Sequence, residues 1–143
     1  LLYAADLAGS NLEKSNLIGV YAKNAYLNKT NLRAVDARYA DMTKASLTKA
    51  ILDGSDFSYT KLTEATMVEV SAKKAEFTEA VLENARMQYA DLRNAILEEI
   101  NAKGVNLSNA DLDEARLRLA NLTDAIMDQA SARYANFEEA VLN

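Results

Sequence analysis

The sequence lacks cysteine, histidine, proline and tryptophan altogether, and it has only four glycines among 143 residues. Without cysteine there is neither a disulfide framework nor a thiolate nucleophile. Without histidine the chain lacks the commonest general base, and the two absences together remove the usual zinc ligands. No run of about 18 apolar residues occurs, so no segment predicts a transmembrane helix. These absences argue against an enzyme, and we expect no cofactor.

The charge of the chain is unevenly distributed along its length. The net charge is −5, from 16 basic and 21 acidic residues. Residues 1–71 contain eight of each sign, whereas residues 72–143 contain eight basic and thirteen acidic residues. Nucleic-acid binding needs clustered lysine and arginine. We therefore expect no nucleic-acid partner.

Apolar residues recur every five positions without interruption. Stepping by five from Leu2 meets 29 residues, of which 17 are Leu, five Ala, four Met and three Phe. We call these residues the centres. The residue two before each centre is small or β-branched, the residue just before it is Asp or Asn in 13 of 29 units, and the two residues after it are mostly polar. The repeat therefore predicts an interior made of the centres and the small residues.

A period of five fits neither regular backbone. On a helix the centres would scatter around the cylinder, and on a straight strand they would alternate between two faces. A short extended piece followed by a turn in every unit returns each centre to the inside, and Asp, Asn and Gly favour such turns. The sequence thus predicts an all-β solenoid.

The number of units in one coil follows from which centres resemble each other. At a spacing of 20 residues, all three Phe fall in one column and three of the four Met in another. A 15-residue similarity competes with this, as in the stretches AILEEINAKGVNLSN and AIMDQASARYANFEE. We interpret the 20-residue period as the geometry, with four units in each coil, and the 15-residue blocks as a trace of duplication.

Runs such as ADLAGSNLEKSNL, ADLRNAIL and ANLTDAIM resemble the pentapeptide-repeat proteins, and the resemblance covers the whole chain. It implies a right-handed quadrilateral β-helix of about seven coils. It also implies a soluble protein of the bacterial cytoplasm or the thylakoid lumen. Some members of that family protect DNA gyrase by resembling duplex DNA, and others are regulators or effectors. Because the chain begins and ends within a repeat, we expect residues 1–143 to be one domain of a longer protein.

Two groups of charged residues could form sites, and we interpret both as structural. Adjacent carboxylates at Glu98-Glu99 and Glu138-Glu139 could bind a cation or act as acid and base, but they occupy turn positions. A second group follows successive centres of one face with mostly alternating sign, which predicts a ladder of ion pairs between coils: Glu13, Arg33, Asp53, Lys73, Arg93, Asp113 and Arg133.

One outer column combines aromatic and acidic residues. It is formed by the second residue after each centre of the Phe-bearing face, and we call it the Tyr/Glu column: Gly19, Tyr39, Tyr59, Glu79, Glu99, Leu119 and Glu139. Tyrosine is enriched at protein interfaces, and stacked carboxylates do not favour folding. We therefore predict a partner-contact face made of Tyr39, Tyr59, Glu79, Glu99, Leu119 and Glu139. The next candidate is the low-charge face with Tyr26, Thr48, Val68 and Gln88.

The sequence therefore predicts a non-enzymatic solenoid that binds or scaffolds an unidentified protein partner. A DNA-mimicking binder of gyrase or another topoisomerase is the alternative. A carboxylate-dependent enzyme is a remote third interpretation.

Overall fold

The coil repeats every 20 residues. A computed structural model describes residues 1–142, which contain no helix and no strand longer than one bridging residue. Parallel bridges join the residue before each centre to its equivalent 20 positions later, from Asp6–Tyr26 to Asn121–Val141. The prediction of four five-residue units per coil is thus confirmed, and the 15-residue similarity does not set the geometry. Since the described residues contain no helix, none of them forms one that could cross a membrane.

Each unit contains a tight turn at the two residues after its centre. The carbonyl oxygen of Leu2, for example, accepts a hydrogen bond of 3.0 Å from the backbone N–H of Ala5. The second turn residue has a positive φ in every unit from Ala4 to Glu139, as a type II turn requires. Glycine occupies only four of these positions, and 24 other residues adopt φ between 50° and 61°. Many units therefore carry backbone strain that glycine would avoid.

We expect Glu114→Gly to stabilise the fold by about 0.5–1 kcal/mol, because Glu114 has a φ of 61° and its side chain is exposed. The matched control is Thr63→Gly, at a first turn position, where φ is not positive. Glycine there should destabilise the fold by a similar amount. Thermal unfolding should show a higher melting temperature for the Glu114→Gly variant and a lower one for the Thr63→Gly variant. A loss of stability in both would show that the strain is not significant.

The core is a continuous column inside the coils. Centres and preceding small residues are buried throughout the middle of the chain, from Ala22 to Leu122. Phe57 and Phe77 stack with ring centroids 5.6 Å apart. The residues of the first and last coils are only partly buried, because each of these coils has a neighbouring coil on one side only. This burial confirms the predicted interior.

In twelve units the N–H of the first turn residue is capped by a side chain of its own unit. The side chain just before the centre accepts a hydrogen bond from this N–H, at 2.8–3.4 Å. These capping bonds explain why the position is rich in Asp and Asn, whose side chains accept from the backbone two residues on. The capping residues are Asp6, Asn11, Asn16, Asn31, Asp36, Asp41, Asp56, Asp91, Asn106, Asp111, Asn121 and Asn136.

Where serine occupies the position just before the centre, the N–H of the first turn residue is capped by a side chain of the preceding coil. Asp53 Oδ1 accepts from both the Ser71 hydroxyl, at 2.7 Å, and the Lys73 backbone N–H, at 3.1 Å. Two other pairs repeat the arrangement, Asn28 with Ser46 and Asp113 with Ser131. These three are all the serines of that column, so a serine here goes with an Asp or Asn 18 residues earlier.

The predicted ladder of charges forms only in part. Asp53 Oδ2 lies 3.7 Å from Arg33 and 3.8 Å from Lys73. Arg93 does not pair with Asp113 as the ladder predicts. It contacts Asp91 at 2.7 Å in its own unit and Asp111 at 3.5 Å in the next coil. The short side chain of an aspartate just before the centre holds the arginine close to the backbone, which takes it away from the ladder.

Candidate functional site

The Tyr/Glu column is a straight row because its residues share one backbone conformation. Tyr39 and Tyr59 both have a φ of 61°. Their backbone N–H groups donate to carbonyl oxygens of the next coil, Ser58 at 3.2 Å and Thr78 at 2.9 Å. The backbone N–H groups are thereby used in stacking the coils, and the side chains point away from the core. The column is therefore a rigid edge whose chemistry is that of its side chains.

The two tyrosines form a parallel stack on this edge. Their ring centroids are 4.8 Å apart and the rings are inclined by only 9°, in agreement with the spacing between coils. Tyr39 remains 60% exposed and Tyr59 41% exposed. Such a pair is worth about 0.5–1.5 kcal/mol beyond the area it buries. The stack orders two large, exposed side chains.

Glu79 extends the stack with a carboxylate. Its negative charge raises the pKa of the Tyr59 phenol above the ordinary value, and partial burial and the charge of the neighbouring Tyr39 phenol add to this rise. A carboxylate stabilises a neutral hydroxyl that donates to it and disfavours a phenolate. The edge therefore presents aromatic rings directly beside a negative charge, a combination that suits a cationic side chain.

Arginines of the next coil compensate part of the acidic charge on and beside the column. Arg118 lies 4.0 Å from Glu99, and Arg116 forms an ion pair with the adjacent Glu98. Both arginines lie one coil after the glutamates that they contact. No ion pair within 4 Å neutralises Glu79 or Glu139 among residues 1–142. The acidic surface is thus divided by a neutralised coil.

The remaining predicted residues have different surroundings. Leu119 is 37% exposed and lies between Glu99 and Glu139 in the column. On the alternative face, Tyr26 is exposed, whereas the Thr48 backbone is capped by Asn28 Oδ1 at 3.1 Å. The part of the chain that the structure describes holds no group of three His, Cys, Asp or Glu residues arranged to bind a metal ion.

The pentapeptide-repeat family model matches almost the whole chain. It matches as eight copies over residues 2–36, 30–67, 62–98 and 103–143. Together with the 20-residue coil, this match shows that the chain belongs to the pentapeptide-repeat family. The comparison with curated proteins finds no match.

Solved structures of this family resemble the chain. One is HetL of the cyanobacterium Nostoc sp. strain PCC 7120, a protein involved in the regulation of heterocyst differentiation. HetL is 20% identical to this chain, and the match covers 97% of this chain and 85% of HetL with a TM-score of 0.42. Rfr23 of Cyanothece 51142 is 25% identical over 96% of this chain and 91% of its own, with a TM-score of 0.46. A pentapeptide-repeat protein of the Arabidopsis thaliana thylakoid lumen is 22% identical. The match covers 96% of this chain and 71% of that protein, with a TM-score of 0.31.

Proposed function

We propose that this chain is a non-enzymatic solenoid that binds a protein partner, built as a right-handed coil of about seven turns. At about 4.8 Å per coil the rod is roughly 34 Å long. The contact surface is the Tyr/Glu column, with Tyr39, Tyr59 and Leu119 as anchors. The partner is a basic protein surface that docks against Glu79, Glu99 and Glu139.

The observation that carries this proposal is the stacked pair of Tyr39 and Tyr59 beside Glu79. Preordered aromatic rings lose little conformational entropy on binding, and tyrosine offers both apolar area and a hydroxyl. Glu79 and Glu139 have no cation within 4 Å among the described residues, so a partner's lysine or arginine would supply the missing charge. The stack has little evident role in the core, because both rings lie outside the coil.

The charge pattern favours this partner over a topoisomerase that would recognise the chain as duplex DNA. A DNA mimic needs negative charge that continues along the rod, as phosphates do. Arg116 and Arg118 interrupt the acidic surface instead, with ion pairs to Glu98 and Glu99. Local contacts at Glu79 and Glu139, on either side of these ion pairs, fit this arrangement better.

The proposal is tested by changing Glu79, Glu99 and Glu139 together to Gln. We expect affinity for a partner recovered by affinity purification to fall about tenfold, since each exposed charge pair contributes tenths of a kcal/mol up to about one. The salt dependence should weaken as well. The matched control changes Glu64, Glu69 and Glu114 to Gln, which removes the same charge from the same turn position on the other three faces.

Equal losses in the two triple variants would indicate a general effect of charge and contradict the proposed face. Unchanged binding in the first triple would move the site to the face with Tyr26, Thr48, Val68 and Gln88. If the recovered partner is a topoisomerase, competition between the chain and duplex DNA would support the alternative function.

A further inference from the structure

A surface cavity lies away from the Tyr/Glu column, at the turns of two neighbouring coils. Its volume is about 160 Å³, and it is lined by Lys73, Lys74, Arg93 and Asn94. The lining thus has three cations, one amide and no carboxylate, in a chain whose net charge is −5. Such a concentration of hydrogen-bond donors suits a compact anion.

Two of the cations are held in place by contacts that leave donors free. Arg93 Nε and Nη2 donate to Asp91, at 2.9 and 2.7 Å, and Nε also lies 3.5 Å from Asp111 Oδ2. These bonds fix the plane of the guanidinium group and leave Nη1 available. The Lys73 ammonium is 3.8 Å from Asp53 Oδ2, which is too long for a strong hydrogen bond. Its three N–H groups are therefore largely uncommitted.

Lys74 is the cation without a counter-charge. Among residues 1–142 no carboxylate lies within 4 Å of its ammonium group, whereas Lys14, Lys44 and Lys49 at equivalent turn positions each have an acidic partner at 3.3–3.4 Å. Lys14 pairs with the glutamate just before it, and Lys44 and Lys49 pair with glutamates 20 residues later. The residue before Lys74 is Lys73, and no acid lies directly above or below Lys74 in its column. Gly54 has no side chain, with open space where a Cβ would lie, and Asn94 is neutral.

We propose that this cavity binds a phosphate group, either the free ion or a monoester. A phosphate dianion accepts several hydrogen bonds at once and has the charge to attract three cations, whereas an exposed carboxylate has one negative charge and two oxygens. Lys74 supplies the uncompensated charge, Lys73 and Arg93 Nη1 supply further donors, and the Asn94 amide completes the set. The site does not depend on the partner-contact face.

The test is an NMR titration of the folded protein with inorganic phosphate and with O-phosphoserine, against chloride at matched ionic strength. We expect saturable shifts of the Lys74 and Asn94 amide signals with phosphate compounds only. Lys74→Gln should weaken binding about fivefold, as the loss of one exposed charge pair predicts. The control is Lys29→Gln, since Lys29 is exposed at the same turn position and has no acidic partner within 4 Å among residues 1–142; it should leave binding unchanged.

A second variant should strengthen the site. Asp53→Asn removes the carboxylate that competes for Lys73, and the amide oxygen can keep both capping bonds, as Asn28 does with Ser46 and Thr48. We expect phosphate to bind about two- to fivefold more tightly to this variant.

Tighter binding of O-phosphoserine would assign the site to an ester, and tighter binding of inorganic phosphate to the free ion. Shifts that do not saturate, equal shifts with chloride, or equal losses in the Lys74 and Lys29 variants would overturn the proposal. Unchanged affinity in a folded Asp53→Asn variant would also contradict the assigned role of Lys73.

Discussion

Leu92→Lys is expected to abolish cooperative folding at room temperature. Leu92 is fully buried, with 0% of its surface exposed, inside a solenoid whose interior is only a few side chains wide. The buried polar residues among residues 1–142 are Thr30, Ser55, Ser58 and Thr60, with no carboxylate, so a lysine at position 92 would be an unpaired ammonium in an apolar interior. The penalty is several kcal/mol, comparable with the total of about 5–15 kcal/mol that stabilises a whole domain.

Two control variants test whether the loss of stability in Leu92→Lys comes from the buried charge. One changes the side chain at position 92 without adding a charge, and the other changes the neighbouring exposed residue. Leu92→Met keeps the volume and places at this centre a residue that is already buried at Met42, Met67 and Met87, so it should cost less than about 1.5 kcal/mol. Arg93→Ala, one residue further on, changes a half-exposed ion pair and should cost under about 1 kcal/mol. Far-UV circular dichroism and thermal melts measure all three variants. Equal melting temperatures for the Leu92→Lys and Arg93→Ala variants would contradict the inside–outside assignment.

Asp53→Ala should destabilise the fold by about 1–2 kcal/mol, and Ser71→Asn in the same chain should restore most of the loss. The alanine leaves both the Ser71 hydroxyl and the Lys73 backbone N–H without their acceptor, and an unmade hydrogen bond of a partly buried group costs about 1–3 kcal/mol. An asparagine at position 71 caps the Lys73 N–H from within its own unit, as Asn31 does for Arg33.

This prediction is checked by a double-mutant cycle from denaturant unfolding. The coupling between the two substitutions should be close to the loss caused by Asp53→Ala alone, because they act on one hydrogen-bond donor. Asp53→Asn serves as the control and should be nearly neutral, since Asn28 makes the equivalent two bonds. Additive effects of the two changes would contradict the alternative capping described here.

The five-residue period of the sequence determined the backbone and the core. The prediction was accurate because every unit of a solenoid repeats the same backbone conformation. One residue that departs from the pattern therefore does not shift the register of the other units. Leu92 and Phe57 could be placed inside, and Arg93 and Tyr59 outside, from position in the repeat alone. The stacking of Tyr39 on Tyr59 followed from their spacing of 20 residues.

The contacts of the outward side chains were decided only by the tertiary structure. Residues 18 to 20 apart lie in neighbouring coils, and which of them meet depends on side-chain length and direction. Arg116 and Arg118 therefore pair with Glu98 and Glu99, which the sequence pattern did not predict, and Arg93 binds Asp91 in place of its ladder neighbour. The cavity beside Lys74 is likewise a product of the stacking, because its lining residues Lys73, Lys74, Arg93 and Asn94 come from two neighbouring coils.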